Sequence, residues 1–168
     1  MFELRNTALV AAIVVCAALS APARAEEEDQ VARGKYLVTI MGCGDCHTPG
    51  YFFGKPDLTR RLSGSDVGFE MPGLGIHWGP NLTPDPETGL GKWSDTEIIA
   101  AFRTGVTPDG RKLLPVMPYG GFAALTDADA QAIVAFLRSL PPVVNKVTAP
   151  VKPGEKPAAP YMTVIVPK

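Results

Sequence analysis

One short stretch decides the fold of this chain, Cys43-Gly44-Asp45-Cys46-His47. Two thiols at this spacing can add across the two vinyl groups of one haem, and C-x-x-C-H is the sequence signature of that attachment. The histidine that follows is then placed beneath the iron, where its imidazole serves as an axial ligand. The motif therefore predicts one covalent haem c, held by Cys43 and Cys46, with His47 on the iron.

Three other kinds of site use closely spaced cysteines, and each fits this chain less well. A structural zinc ion needs four tetrahedral ligands, and the adjacent residues Cys46 and His47 are awkward partners on one ion. A thioredoxin-like redox pair follows a strand in a βαβ setting, and the sequence has no such pattern. A disulfide across two residues would be a strained way to stabilise a helix end.

The first 25 residues have the pattern of an export signal. Arg5 lies in a short polar start, and the apolar run of 12 residues that follows, 8–19, is too short to span a bilayer comfortably. Ala23-Arg24-Ala25 supplies the small-x-small pattern of a cleavage site. We therefore predict a signal peptide over residues 1–25, cleaved after Ala25, and export to the periplasm. An uncleaved anchor and a lipoprotein formed through Cys16 are disfavoured alternatives.

The charge balance excludes two classes of partner. Removing residues 1–25 takes away Arg5, Arg24 and Glu3, which leaves 14 basic and 16 acidic residues and a formal charge of −2. This balance gives no sign of nucleic-acid binding, and no basic amphipathic helix points to a membrane surface. Five basic residues are nevertheless candidates for a local patch near the haem edge: Lys35, Lys55, Lys92, Arg111 and Lys112.

The first predicted helix covers residues 31–41, with Leu37, Ile40 and Met41 on one side. Gly34 lies inside this segment, where glycine costs about 1 kcal/mol relative to alanine. We therefore expect a packing reason for Gly34, namely the close approach of another helix.

Two further helices are marked by their ends. Ser94 and Glu97 form a capping box, and Gly105 is expected to end the helix that follows. Thr126 is a good N-cap for the last helix, whose apolar residues repeat at i, i+3, i+4 and i+7. Pro141-Pro142 should end this helix, because proline cannot continue it.

The rest of the chain is rich in glycine and proline. Residues 48–93 and 106–121 show little periodicity, and loops this long in a compact domain are generally functional. A bound haem would give them something to wrap around. Residues 143–168 form a proline-rich tail, which we expect to be an extended strap or a disordered end. The predicted fold is all-α, with three or more helices and long loops in a domain over residues 26–142.

Outside the haem motif, five stretches carry a family resemblance: Arg33-Gly34-Lys35-Tyr36-Leu37, Gly79-Pro80-Asn81-Leu82-Thr83-Pro84, Gly89-Leu90-Gly91-Lys92-Trp93-Ser94-Asp95, Phe102-Arg103-Thr104-Gly105 and Val116-Met117-Pro118-Tyr119. Together with the motif, they make the chain similar to class I mono-haem c-type cytochromes. More narrowly, the chain resembles the haem modules of bacterial alcohol, gluconate and aldehyde dehydrogenase cytochrome c subunits. The resemblance covers about residues 31–142 and implies the cytochrome c fold. Such subunits usually carry three modules, whereas one module favours a free carrier or a small accessory subunit.

The predicted second axial ligand is Met117. A low-spin electron-transfer haem needs a ligand opposite His47, and methionine raises the potential relative to a second histidine. Met117 lies between Pro115 and Pro118, which hold the backbone extended. The segment runs into the final helix, as the ligand loop of the family does. Met71, in a glycine-rich loop, and His77, next to a tryptophan, remain as alternatives.

Other candidate haem contacts are weaker. Asn81 and Arg103 are candidates for the haem propionates, although each could equally be a surface residue or a helix-end partner. Aromatic side chains are expected in the core or the haem wall: Tyr36, Trp93, Tyr119, Phe122 and Phe136. The resemblance also implies that the first helix crosses the last one at Gly34, near Phe136.

These features predict an electron carrier or electron-transfer subunit, not an enzyme. With both axial positions filled, the iron can change oxidation state but has no room for substrate. The expected partners are other redox proteins, a periplasmic dehydrogenase or a terminal oxidase, which dock transiently. A membrane is involved only through the leader or a membrane-bound partner. The alternatives are a subunit docked on a dehydrogenase through the proline-rich tail and, less favoured, a ligand-binding or catalytic haem.

Overall fold

Helices make up most of the regular structure in the computed structural model, which describes residues 26–167. The predicted signal peptide, residues 1–25, lies outside the described residues. No helix within residues 26–167 combines the length and the apolar character that crossing a membrane requires. The helices are α1 (26–40), α2 (Cys43–His47), α3 (Asp95–Thr104), α4 (Tyr119–Phe122) and α5 (Asp127–Ser139), and 3-10 turns occupy Tyr51–Phe53 and Leu58–Arg60.

The core lies where α1, α3 and α5 meet. Leu37 and Val38 from α1 pack in one buried cluster with Phe102 of α3 and Leu137 of α5. Ile40, which was predicted on the same side of the helix as Leu37, is 60 % exposed and does not share its burial. Val38, which is 1 % exposed, takes the core position, so the buried stripe of α1 is rotated relative to the predicted one.

The predicted crossing at Gly34 is confirmed. A Cβ atom added to Gly34 would overlap the backbone carbonyl of Ala132 and lie 2.8 Å from the Cβ of Phe136. Both of these residues belong to α5, so α1 and α5 touch through their backbones at this point. Only a residue without a side chain permits this approach.

The helix ends predicted from capping residues are confirmed. The Ser94 hydroxyl accepts from Glu97 N, and the Glu97 carboxylate accepts from Ser94 N at 2.7 Å, which is a complete capping box. Gly105 ends α3 in the left-handed conformation, with φ 73°. Thr126 caps α5 by accepting from Asp129 N at 3.1 Å. These local hydrogen bonds fix where α3 and α5 begin.

A small three-stranded sheet was not predicted, and it qualifies the all-α expectation. β1 (Gly68–Met71) pairs antiparallel with β2 (Gly75–Trp78) as a hairpin. β3 (Tyr161–Met162) adds parallel to the other side of β1, giving the order β2-β1-β3. The part of the chain predicted as loop therefore contains a sheet that closes one side of the domain.

The chain after α5 is extended and lies against the domain. Its first part contacts the loops at residues 62–64 and 81–88, through Val143 and Asn145. Val151 then bridges to Ile76 of β2, and the chain reaches β1 as β3. Of the two possibilities left open by the sequence, the structure gives an extended strap. We refer to residues 143–162 as the strap.

Candidate haem-binding site

The C-x-x-C-H motif forms its own short helix, α2. Gly42 precedes it in the left-handed conformation, with φ 67°, which lets the chain turn sharply out of α1. Cys43 and Cys46 are three residues apart on α2, so both side chains point to the same side of the helix. Both are free thiols and partly buried. The helix therefore presents two thiols side by side, as attachment to two vinyl groups requires.

The two thiols are held in their protonated form. Burial raises the pKa of the Cys43 thiol to about 11, and the nearby Cys46 and Asp45 raise it further, whereas Arg61 opposes the shift. Burial, followed by the charge of Asp45, also raises the pKa of Cys46. At neutral pH, neither cysteine is a thiolate, which is the reactive and metal-binding form. Arg61, which sequence reasoning missed, is the cation that lowers the pKa of Cys43.

The ring of His47 is oriented by one hydrogen bond. His47 is 5 % exposed, and its Nδ1 lies 2.8 Å from the carbonyl oxygen of Pro80. A carbonyl oxygen can only accept, so Nδ1 carries the proton and Nε2 keeps its lone pair. Burial lowers the pKa of His47, and the Pro80 carbonyl partly opposes this. The imidazole is thus neutral at pH 7, with Nε2 as the free ligand atom.

Two loops clamp the backbone of α2. The carbonyl of His47 accepts from Gly64 N at 2.8 Å, and Ser65 N donates to the carbonyl of Gly79 at 2.9 Å. A Cβ atom on Gly79 would overlap the Cys46 carbonyl and lie 3.3 Å from His47 Nδ1. The segment carrying Pro80 therefore rests directly on the motif helix, with no space for a side chain between them.

Leu62 supports this clamp from a strained position. It is the non-glycine residue with positive φ among those described, at 64°, and it is fully buried. For an ordinary residue this conformation costs roughly 1–2 kcal/mol. The Thr48 hydroxyl accepts from Leu62 N at 3.2 Å, and the Leu62 carbonyl accepts from Leu82 N at 2.8 Å. These bonds tie the residue after the motif to both clamping loops.

Met117 lies in a tight turn before α4, so the prediction that the flanking prolines hold this backbone extended is wrong. Its carbonyl accepts from Tyr119 N at 2.8 Å, and its own N–H donates to Leu114 O at 3.0 Å. The side chain is partly buried and packs against the same core cluster as Cys43 and Trp93. The described contacts do not join Met117 to His47, so axial ligation by Met117 stays a prediction.

The alternative ligands belong to the unpredicted hairpin. Met71 ends β1, and His77 lies in β2 opposite Phe69. Burial lowers the pKa of His77, a backbone contact at Leu74 opposes this, and the charge of Arg111 lowers it further. Both residues are therefore fixed by strand pairing rather than by a free loop.

Asn81 is committed to the protein's own hydrogen bonds. It is 1 % exposed, and its amide donates to Val143 O at 2.7 Å and to the Thr88 hydroxyl at 3.1 Å. Its carbonyl oxygen accepts from the backbone and the hydroxyl of Thr83. Both amide protons are therefore donated within the protein, and the predicted contact with a haem propionate stays a prediction.

Arg103 acts as a helix-end partner. Its guanidinium donates to Asp127 at 2.8 Å and to the carbonyl of Leu125 at 2.6 Å, which ties α3 to the start of α5. Its Nε is buried without a hydrogen-bond partner among the described residues. These contacts make Arg103 a helix-end partner, which is one of the alternatives that the sequence left open. A propionate contact stays a prediction.

The predicted aromatic and basic residues differ in their surroundings. Phe136 is buried, Trp93 and Phe122 are half-buried against the core, and the ring of Tyr119 packs on Gly105. Tyr36 is 55 % exposed, with the guanidinium of Arg33 over its ring at 5.6 Å, so it does not lie in the core, and a haem-wall position for it stays a prediction. The basic candidates are not one patch of free cations, since Lys92 pairs with Glu87 at 2.7 Å.

No group of three or more His, Cys, Asp or Glu side chains that could hold a metal ion occurs within residues 26–167. The donor set at the motif is instead two neighbouring thiols and one oriented imidazole. This set fits a haem, which brings its own four ring nitrogens and needs attachment points and axial ligands from the protein.

A family model described as cytochrome c matches residues 31–141. This range includes residues 31–40 of α1, the motif helix, both clamping loops and α5. The match ends where the strap begins, so the strap lies outside the part of the chain that the family model covers.

Several relatives are parts of dehydrogenases. The chain is 38 % identical to the fructose dehydrogenase cytochrome subunit of Gluconobacter japonicus over 117 residues, 67 % of this chain and 22 % of that protein. It is 34 % identical to the cytochrome c subunit of the quinone-dependent alcohol dehydrogenase of Gluconobacter oxydans, covering 84 % of this chain and 28 % of that subunit. With the gluconate 2-dehydrogenase cytochrome c subunit of Pantoea cypripedii, identity is 32 %, over 68 % of this chain and 24 % of that subunit. The matched region spans less than a third of each of these relatives.

Proposed function

Because this chain belongs to the cytochrome c family, we propose that it transfers electrons in the periplasm through one haem c, bound covalently by Cys43 and Cys46. The observation that carries this proposal is the hydrogen bond from His47 Nδ1 to Pro80 O at 2.8 Å. It selects the tautomer whose Nε2 can bind iron, on the residue directly after two free thiols.

Each residue of the site has a role that follows from its contacts. Cys43 and Cys46 fix the haem to α2, and the Pro80 carbonyl holds the His47 ring in one orientation. The hydrogen bond also makes the imidazole a stronger electron donor. When bound, the haem supplies a one-electron ferric/ferrous couple. A rigid site suits this use, because ligands that do not move add little reorganisation to each electron transfer.

Met117 is the proposed second ligand. It lies in a turn bounded by Pro115 and Pro118, and its side chain packs against the same core cluster as Cys43. Met71 and His77 are instead held in the β1–β2 hairpin by strand pairing. A methionine ligand would give the haem a higher potential than a second histidine.

We expect Met117→Ala to remove the weak far-red sulfur–iron band from the optical spectrum of the oxidised protein, which the wild type should show. The protein is exported in a host with haem-attachment machinery, and both oxidation states are recorded. Met71→Ala serves as the matched control and should retain the band. The reduced spectrum of all three proteins should be that of a c-type haem.

Other spectra would contradict parts of this assignment. A band that survives Met117→Ala but is lost in Met71→Ala moves the ligand to Met71. A low-spin wild type without the band makes His77 the candidate, and a high-spin wild type favours a ligand-binding or catalytic haem. The absence of covalent haem would overturn the whole proposal.

The proposed location and partners rest on residues 1–25 and on the relatives. Cleavage of a signal peptide after Ala25 would release the protein into the periplasm, where haem attachment takes place. The proposed partners are redox proteins, a periplasmic dehydrogenase as donor and a further carrier or terminal oxidase as acceptor. Related proteins named as dehydrogenase cytochrome subunits support this choice of donor.

A second candidate is a subunit docked on a dehydrogenase through its C-terminal end. The strap lies against its own domain, so docking would use the residues beyond Met162, where Val164, Ile165 and Val166 are about 80 % exposed. We expect a chain ending at Met162 to lose co-purification with the dehydrogenase while keeping its c-type spectrum. Equal co-purification of the shortened and full chains would contradict docking through this end.

A further inference from the structure

Two hydrogen bonds connect the strap to the segment that carries Pro80. Trp78 Nε1 donates to Pro160 O at 3.1 Å, and the Asn81 amide donates to Val143 O at 2.7 Å. Trp78 and Asn81 stand on either side of Pro80 in the sequence, and both are buried. The two ends of the strap thus hold the chain before and after the acceptor of the His47 hydrogen bond.

The Pro80 segment depends on outside contacts for its position. β2 ends at Trp78, and residues 79–82 belong to no helix or strand. Pro80 has no N–H of its own, so it cannot fix its peptide by donating a hydrogen bond. The position of its carbonyl oxygen is therefore determined by what holds its neighbours.

The strap is itself well anchored at both of these points. Val143 N donates to the Thr83 hydroxyl at 3.1 Å, and Pro160 O also accepts from Gly68 N of β1 at 2.9 Å. Directly after Pro160 the chain pairs with β1 as β3. The strap is therefore fixed at one end to the loop at residues 81–88 and at the other end to the sheet.

We propose that the strap is a positioning element for the axial histidine, holding Pro80 so that its carbonyl accepts from His47 Nδ1, and that it thereby sets the potential of the haem. This inference rests on the proposed function. A strong Nδ1–H···O=C bond makes the imidazole a better donor and stabilises ferric iron. Loosening the strap weakens this bond, so the potential of the haem should rise.

The test uses the haem-loaded full chain and Trp78→Phe, which removes the donor to Pro160 O and keeps an aromatic ring. The loss of one such bond should make exchange of the His47 Nδ1 proton with solvent about fivefold faster, as measured by NMR. The midpoint potential should rise. A chain ending at Met162 keeps both strap contacts and is the matched control, so its exchange rate and potential should equal those of the full chain.

An unchanged exchange rate of the His47 Nδ1 proton and an unchanged midpoint potential in Trp78→Phe would overturn the strap proposal. The variant would still show a c-type spectrum, so the proposed function would stand. If Trp78→Phe does not fold, exchange is followed in the unaltered protein. The proposal then expects the Trp78 Nε1 proton and the His47 Nδ1 proton to have the same protection factor, since one opening exposes both. A larger protection factor for the His47 proton than for the Trp78 proton would overturn it. A full chain without covalent haem would instead overturn the proposed function.

Discussion

Gly79→Ala should lower covalent haem attachment severalfold, although it adds a single methyl group. The added Cβ would overlap the carbonyl oxygen of Cys46 and lie 3.1 Å from its carbonyl carbon and 3.3 Å from His47 Nδ1. The first two of these atoms belong to the backbone, which cannot rotate away as a side chain can. The methyl group must therefore push the Pro80 segment away from α2, which breaks the His47–Pro80 hydrogen bond.

The magnitude supports a large effect. Overpacking a closed site costs about 1–3 kcal/mol of stability. An overlap with a backbone carbonyl, which cannot rotate away, belongs at the upper end of this range. The measurement is the ratio of covalent haem to protein after export, together with the urea midpoint of whatever holoprotein forms. We expect Gly79→Ala to show a severalfold lower ratio and a lower midpoint than the wild type.

Gly44→Ala is the matched control for this prediction. Gly44 lies between the two cysteines, yet a Cβ there would meet the Thr48 hydroxyl at 3.6 Å and Arg61 at 3.9 Å, both ordinary contacts. It should keep the wild-type haem ratio. Wild-type attachment in Gly79→Ala would mean that the 79–82 segment does not rest on α2 as described. Equal losses in both variants would instead mean that the motif region does not tolerate an added methyl group.

The helices could be predicted because their signals are local. The Ser94–Glu97 capping box and the Thr126 cap each depend on residues three positions apart, so the sequence alone contains both partners. The motif is local in the same sense, with all its attachment residues within one short helix. Such features do not depend on how the rest of the chain is arranged.

The sheet was missed for two different reasons, because the pairing of β1 with β2 is local and the pairing of β1 with β3 joins distant residues. Gly68 pairs with Trp78 in the hairpin and with Tyr161 of the strap. The turn signal Pro72-Gly73 was available and could have indicated the hairpin. The pairing of β3 had no comparable signal, because two residues of a proline-rich tail are too short to show alternation.

The site follows the same division between local and distant contacts. His47 was assigned from its neighbours, whereas its partner Pro80 lies in a loop whose position depends on the strap. From the sequence, Asn81 was a candidate for a haem propionate and equally for a surface residue or a helix-end partner. Its hydrogen bonds to Val143 and Thr83 depend on tertiary structure that sequence periodicity does not describe.

Gly34→Ala reverses the usual sign of a glycine-to-alanine change in a helix, and we expect it to destabilise the protein. Alanine normally stabilises a helix interior by about 1 kcal/mol relative to glycine. Here the added Cβ would overlap the Ala132 carbonyl and lie 2.8 Å from Phe136 Cβ. The overlap pushes α1 and α5 apart, which costs roughly 3 kcal/mol of stability. The helix preference for alanine offsets about 1 kcal/mol of this, so the net loss of stability is about 2 kcal/mol.

The measurement is the thermal unfolding midpoint of the haem-loaded protein, which such a loss lowers by about 4–8 °C in a domain of this size. Gly121→Ala is the control, because Gly121 is also helical but a Cβ there meets nothing within 4 Å. It should leave the midpoint unchanged or raise it slightly, since only the helix preference remains. A Gly34→Ala midpoint equal to that of Gly121→Ala would show that α1 and α5 can separate at no cost, which contradicts the backbone contact between them.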